Sequence, residues 1–272
     1  MQADSSSENA STCSETSFYL PPSTGNHSQA TPAIFSRPTD PLHSAVILCH
    51  GFLSTKESRT NRRLTELLIP QGIATLGFDW HGMGQSSEKL ATIGIQKCLD
   101  QLNSAFWWLQ EQGISRIGLM GSSFGGLMAL LFSPRQPNLA ALALKCPVVD
   151  FPEVLRCEFG EAAMEEWKHT NHIPDILGGT TPIPLDYAFF EECLEFIGYS
   201  AAQKIRTPTL IVHGEEDELI PKHQIDRLLA SLPQEKRLDL LPGADHRFGR
   251  PEDFRIMTNR ISQWMVDHLQ TC

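Results

Sequence analysis

Apolar and polar positions along this chain fall into blocks, and the blocks predict strands and helices in turn. Ala45-Val46-Ile47-Leu48-Cys49 is a continuous apolar run, the pattern of a short strand buried on both faces. Residues 73–78, 116–120, 139–146, 209–213 and 237–241 read as strands of the same kind. Helical patterns lie between them. Residues 57–69 carry Leu64, Leu67 and Leu68. In residues 92–112, Ile95, Leu99, Leu102, Phe106 and Leu109 recur at helical spacing, Trp107 and Trp108 widen that face, and Gly113 ends it. Phe254, Met257, Ile261, Trp264 and Met265 mark one face of a last helix over 252–269. Residues 17–20 and 31–36 predict a hairpin around the polar turn 21–30. The expected fold class is therefore α/β: a mostly parallel central sheet with helices on both faces, entered by an antiparallel hairpin.

Two stretches break the rhythm. Residues 1–16 are rich in serine and predict a disordered tail with no cationic or long apolar segment, so no secretory signal is expected. Residues 151–204 contain no clear buried strand and mix short helical patterns (153–168 and 187–197) with Gly178-Gly-Thr-Thr-Pro-Ile-Pro184. That is long for one connection, and long connections are usually functional. The expected organisation is a core of residues 17–150 and 205–272, with 151–204 as a lid insertion. The lid carries many apolar and aromatic residues, among them Phe151, Leu155, Phe159, Trp167, Ile176 and Leu177. Its glutamates Glu158, Glu161, Glu165, Glu166, Glu191, Glu192 and Glu195 are expected to mark a solvent face that disfavours anionic substrates.

In a parallel sheet the site lies beyond the carboxyl ends of the strands, so the residues just after each strand matter most. Gly121-Ser122-Ser123-Phe124-Gly125 joins a predicted strand to an apolar helix beginning at Gly126. The bare pattern G-x-S-x-G is common, but strand, tight turn and helix together make it a nucleophile elbow. Such a turn pushes a serine Oγ out of the sheet edge, beside the unpaired N–H groups of a helix start. Ser123 sits at the apex and Ser122 beside it, so Ser123 is the candidate nucleophile. Other strand ends carry His50-Gly51-Phe52, Asp79-Trp80-His81-Gly82-Met83-Gly84-Gln85-Ser86, Gly214-Glu215-Glu216-Asp217-Glu218 and Ala244-Asp245-His246. Serine, acid and histidine thus follow one another in the chain order of a serine hydrolase triad. His246 is the candidate general base. Asp217 is the candidate acid, although Glu215, Glu216 and Glu218 crowd it. Asp245 adjoins His246 in sequence and is discounted, because adjacent side chains rarely face each other.

These residues resemble the α/β-hydrolase superfamily, and within it the branch of cinnamoyl and feruloyl esterases, monoacylglycerol lipases and serine aminopeptidase-like hydrolases. The resemblance covers about residues 17–270. It rests on the elbow, His50-Gly51-Phe52, Asp79-x-x-Gly82-x-Gly84-x-Ser86, Gly214-x-x-Asp217 and Ala244-Asp245-His246. The family usually has arginine where His81 stands, in a supporting turn. The resemblance implies a Ser123–His246–Asp217 triad, and an oxyanion hole formed by the backbone N–H groups of Phe52 and Phe124. The expected activity is hydrolysis of neutral, small-to-medium carboxylic esters, with feruloyl esters included by resemblance. Two alternatives stand beside it: an amidase or aminopeptidase on the same triad, and a ligand-binding protein on a hydrolase fold.

Composition narrows the partners. Among 272 residues, 32 are acidic and 22 are Lys or Arg, a net charge of −10. That disfavours nucleic acid and anionic membrane surfaces. No apolar run approaches the roughly 18 residues of a membrane span. The 7 cysteines are irregularly spaced and form no C-x-x-C pair, so reduced thiols and a cytoplasmic protein are expected. His169 and His172, three apart, lack a nearby third ligand, so neither a metal nor another cofactor is expected.

Overall fold

The computed structural model describes residues 13–22, 30–39, 42–176, 178–233 and 235–270. The chain begins with two antiparallel strands, β1 (Cys13–Leu20) and β2 (Thr31–Pro38), then β3 (Ser44–Cys49), α1 (Arg59–Leu68) and β4 (Ala74–Phe78). It continues through α2 (Ile95–Glu111), β5 (Arg116–Ser122), α3 (Phe124–Phe132) and β6 (Ala141–Lys145). Next come α4 (Phe151–Thr170), the two-residue strands β7 (His172–Ile173) and β8 (Ile183–Pro184), α5 (Ala188–Cys193) and α6 (Tyr199–Ala202). The chain closes with β9 (Thr209–Gly214), α7 (Lys222–Ser231), β10 (Lys236–Leu241) and α8 (Pro251–Leu269).

The main sheet has 8 strands in the order β1-β2-β4-β3-β5-β6-β9-β10. β2 is antiparallel to β1 and to β4; every pairing from β4 to β10 is parallel. The expected α/β sheet with an antiparallel entry is the one found. The apolar runs of β3 to β6 and β9 work as strands buried on both faces, whereas β10, read above as one of the same kind, is an edge strand in which only Leu241 is buried. In β3, Ala45, Ile47 and Cys49 join the core under α2 and α3, while Val46 and Leu48 join the core under α1 and α8. β6 divides the same way, Leu142 and Leu144 against Ala141 and Ala143. This alternation matters below, because Lys145 continues the second set.

Some expectations need correction. Cys13–Thr16, assigned above to a disordered tail, form the first half of β1; an exposed edge strand is held by its backbone ladder and needs no apolar pattern. Residues 1–12 and the turn at 23–29 lie outside the described residues, as do Leu177 and Cys272. Trp107 does not join the buried face of α2: it is exposed, while Trp108 packs on Phe18 and Phe35. α7 has no counterpart in the predicted elements. Its apolar face is thin, and its buried Gln224 instead bonds the backbone of Val149 and Asp150.

Residues 151–204 hold four short elements and one long helix, α4. Asp150 caps α4 through the Glu153 N–H, and Gly160 kinks it with a positive φ of 71°. The segment is tied to the sheet layer by Glu192, whose carboxylate accepts from Ile95 and Gln96 N–H at the start of α2, both at 3.0 Å. Trp167, Tyr187 and Phe190 pack as one aromatic group within the segment. Among the described residues, no helix is long and apolar enough to cross a membrane.

Candidate active site

The elbow is built by steric necessity. Ser123 follows the β5 strand at φ 53° and ψ −115°, and α3 starts on the next residue. A non-glycine residue at that backbone angle is strained. The turn is tight enough that a Cβ on Gly121 would run into the backbone of Gly125, and one on Gly125 would run into the carbonyl of Cys49. Both positions therefore require glycine. The apex is held from beneath by the Ser123 N–H, which donates to the Lys145 carbonyl at 2.9 Å.

Three strand ends bring their side chains into one row. Ser123 Oγ lies 3.2 Å from His246 Nε2. His246 Nδ1 lies 3.0 and 2.9 Å from the two carboxylate oxygens of Asp217. Asp217 Oδ1 also accepts from the N–H groups of Leu219 and Ile220 at 3.0 and 2.9 Å, so a turn fixes the carboxylate. Of the acids crowding this loop, Glu218 accepts from the His246 backbone N–H, and Asp245 accepts from Gly249 N–H. Neither of those bonds involves the imidazole.

Charge states follow from burial and contacts. Burial works to raise the Asp217 pKa, but the His246 bond and charge and the Ile220 N–H outweigh it and bring it down to about 2. Asp217 is thus an acceptor only, and His246 Nδ1 must carry the proton between them. Nε2 is left as the acceptor facing the serine hydroxyl. Burial lowers the pKa of His246 itself below its ordinary value, against the opposing pull of Asp217. The neutral form of the imidazole therefore persists to lower pH than in a free histidine. Cys146 adds an S–H bond to Asp217, and burial pushes its own thiol pKa up, so it stays protonated.

Asp79 and His50 act as scaffolding. Asp79 is fully buried and accepts from Lys56 N and Lys56 Nζ, both at 2.7 Å, and from Gln85 N at 2.9 Å. His50 Nδ1 donates to the Gly51 carbonyl, its Nε2 accepts from Trp80 N–H, and Trp80 Nε1 donates back to the His50 carbonyl. These bonds fix the turn that presents Phe52. His81, at the position where arginine was expected by resemblance, bonds Thr92 Oγ1 from a buried position. Phe52 and Phe124 lie side by side with ring centroids 5.7 Å apart. Among the described residues, neither backbone N–H has a protein acceptor.

A cavity of about 490 Å³ opens over Ser123 and His246. Its lining includes the apolar Val148, Phe151, Val154, Leu155 and Ile220. It also includes Arg59, Lys145, Arg247 and Phe254. Segment 151–204 supplies part of the apolar lining. Of its glutamates, Glu158 is the one lining the cavity, and Glu158, Glu161, Glu165, Glu166, Glu191 and Glu195 are exposed, as expected of a solvent face. His169 pairs with Glu165, and His172 bonds the Thr170 carbonyl. Cys49, Cys98, Cys146, Cys157 and Cys193 are free thiols. Lys145 was not visible as a site residue in the sequence. Its only signal there is a lone cation closing an apolar strand, Ala141-Leu-Ala-Leu-Lys145.

The buried histidines carry a prediction about stability. Burial lowers the pKa of His50 and of His213 to about 4. An unfolded chain takes up these protons near 6.5, so between pH 6.5 and 4 the unfolded state binds more protons than the folded one. The depressed His246 and Asp217 act in the same direction. Stability is therefore expected to be full at neutral pH and to fall as pH drops through this window. Urea midpoints measured at pH 7.5, 5.5 and 4.5 should decline in that order; a constant midpoint would contradict these charge states.

Known proteins share this architecture. A family model described as serine aminopeptidase, S33, matches residues 40–177. The solved structure of Est1E from Butyrivibrio proteoclasticus with ferulic acid bound superimposes with a TM-score of 0.80. It is 21% identical in sequence, covering 92% of this chain and 98% of that one. An uncharacterized protein of Mycobacterium tuberculosis is 23% identical over 226 residues, 82% of this chain and 70% of the relative. The 2,6-dihydropseudooxynicotine hydrolase of Paenarthrobacter nicotinovorans is 26% identical over 198 residues, 71% of this chain and 49% of that enzyme. With the family match spanning half of its length over the strands that build the elbow, the chain belongs to the serine aminopeptidase S33 family of the α/β-hydrolase superfamily.

Proposed function

We propose that this protein is a serine hydrolase that cleaves carboxylic esters through an acyl-enzyme on Ser123. The observation that carries the reading is the unbroken row from Asp217 through His246 to Ser123. Ser123 Oγ attacks the ester carbonyl as His246 Nε2 takes its proton. Asp217 keeps the imidazole in the correct tautomer and offsets the imidazolium charge. The tetrahedral oxyanion is received by the backbone N–H groups of Phe52 and Phe124. His246 then gives its proton to the leaving alcohol, and the acyl-enzyme forms. A water molecule repeats the sequence, attacking the acyl carbonyl while His246 takes its proton, and the acid is released with Ser123 restored.

The apolar lining of the cavity suits an acyl or aryl group, and segment 151–204 serves as the lid that carries much of it. Ferulic acid bound in Est1E, which has the same fold, adds aromatic acyl esters to the substrates worth testing. The family description keeps peptide-bond cleavage as a second reading. An aminopeptidase needs acidic groups to hold the substrate ammonium. Here the cavity has Lys145, Arg59 and Arg247 against Glu158, which favours esters. The test is a parallel panel of 4-nitrophenyl butyrate, methyl ferulate and aminoacyl 4-nitroanilides. Turnover of esters with little of the anilides is expected; turnover of the anilides alone would contradict the ester assignment.

A further inference from the structure

We propose that the ester cleaved at this site carries a carboxylate, and that Lys145 receives it. This deepens the hydrolase reading and rests on it. Lys145 ends β6, is 5% exposed, and lines the cavity together with Ser122, Ser123 and His246. Strand alternation sends it the way of Ala141 and Ala143, toward the core that holds Phe254, which also lines the cavity.

A buried ammonium is costly unless it is paired and hydrogen-bonded. The contrast with Lys56 is direct. Lys56 is equally buried, and its Nζ has the Asp79 carboxylate at 2.7 Å and Gln85 Oε1 at 2.9 Å. Lys145 has one acceptor, the His246 carbonyl at 2.6 Å, and the Phe248 ring at 5.3 Å. Among the described residues no carboxylate pairs with it, so two of its three donors lack a protein acceptor. An ammonium left this way, on a residue lining the cavity that holds Ser123, has the chemistry to take an anion from the substrate.

The rest of the charged lining agrees. Arg59 and Arg247 line the same cavity and are exposed, and neither forms an ion pair among the described residues. Arg59 instead lies over the Phe254 ring at 3.7 Å. The opposing charge in that lining is Glu158, itself exposed and facing Arg247. The net lining is thus positive on an acidic protein, the reverse of its overall charge of −10. The same cavity is lined by the apolar Val148, Phe151, Val154, Leu155 and Ile220. A substrate with an apolar group on one side of the scissile carbonyl and a carboxylate on the other, separated by a short spacer, matches both kinds of lining. Half-esters of dicarboxylic acids with apolar alcohols are the simplest members of that class.

The test compares mono-4-nitrophenyl adipate with 4-nitrophenyl hexanoate, which have equal chain length and differ by the carboxylate. The wild-type protein should prefer the adipate in kcat/KM by about tenfold or more, the scale of one charge-assisted hydrogen bond. Lys145→Met should lower kcat/KM for the adipate by on the order of 10- to 100-fold while the hexanoate stays within about threefold. Lys145→Arg, which keeps the charge, should retain most of the preference. Hexanoate turnover in Lys145→Met also reports that the variant is folded and that His246 is in place. Two results overturn the inference and leave the hydrolase reading standing: equal or better cleavage of the hexanoate by the wild type, or an equal loss on both esters in Lys145→Met. The second would make Lys145 a positioning residue acting through the His246 carbonyl. Cleavage of neither ester, with Ser123 unreactive to a fluorophosphonate, would remove the hydrolase reading and the inference with it.

Discussion

Replacing Ser123 by alanine should lower kcat on a 4-nitrophenyl ester by on the order of 10⁶, the scale seen when a triad nucleophile is removed. His246 and Asp217 would remain in place but would have no hydroxyl to activate. What remains is the rate that the oxyanion donors and binding supply alone. The same position makes a second, opposite prediction for stability. Ser123 is held at φ 53° and ψ −115°, where a Cβ is strained. Alanine keeps the Cβ and the strain; glycine removes both. Ser123→Gly should therefore be as inactive as Ser123→Ala yet more stable by about 1 kcal/mol, read as a higher urea midpoint. A less stable glycine variant would show that the elbow is not strained in the way its backbone angles imply.

Asp217→Asn should lower kcat by about 10⁴ without unfolding the turn that holds residue 217. The asparagine oxygen can still accept from the Leu219 and Ile220 N–H groups, so the turn survives. Its amide nitrogen, however, now faces His246 Nδ1, which lies 2.9 to 3.0 Å from the present carboxylate oxygens. An amide N–H there donates and forces Nδ1 to accept. The imidazole proton moves to Nε2, the atom facing Ser123, and that atom can no longer take the serine proton. The defect is one of tautomer, so it should appear in kcat across the pH range of activity. Full activity in Asp217→Asn would mean that another acid serves the histidine. Asp245, whose carboxylate bonds Gly249 instead, is the residue to examine in that case.

How much of this was legible in the sequence depends on what carries each feature. The inner parallel strands were legible because each is buried on both faces and so reads as a continuous apolar run, as in Ala45–Cys49; β10, at the sheet edge, has only Leu241 buried. The elbow was legible because its two glycines are steric requirements and not preferences, as the clashes at Gly121 and Gly125 show. Ser123, Asp217 and His246 could each be named from a strand end. That their side chains meet within hydrogen-bond distance depends on the β5-β6-β9-β10 order, which local patterns do not state. The first half of β1 and all of α7 were not legible, since a backbone ladder holds one and the polar side chain of Gln224 the other. Lys145 was hidden for a different reason. Its significance is a missing partner, and absence of a partner is a property of the folded surroundings. The glutamates of segment 151–204 were legible as an exposed face from their clustering; the exception is Glu192, which is half-buried because its carboxylate caps α2.

The most direct measurement is reaction of the full chain with a fluorophosphonate probe, followed by location of the adduct by peptide mass spectrometry. The account predicts a single phosphonylated serine at Ser123, no adduct in Ser123→Ala, and much slower labelling in His246→Ala. An unlabelled but folded wild-type protein, or an adduct on Ser122 that persists in Ser123→Ala, would contradict it.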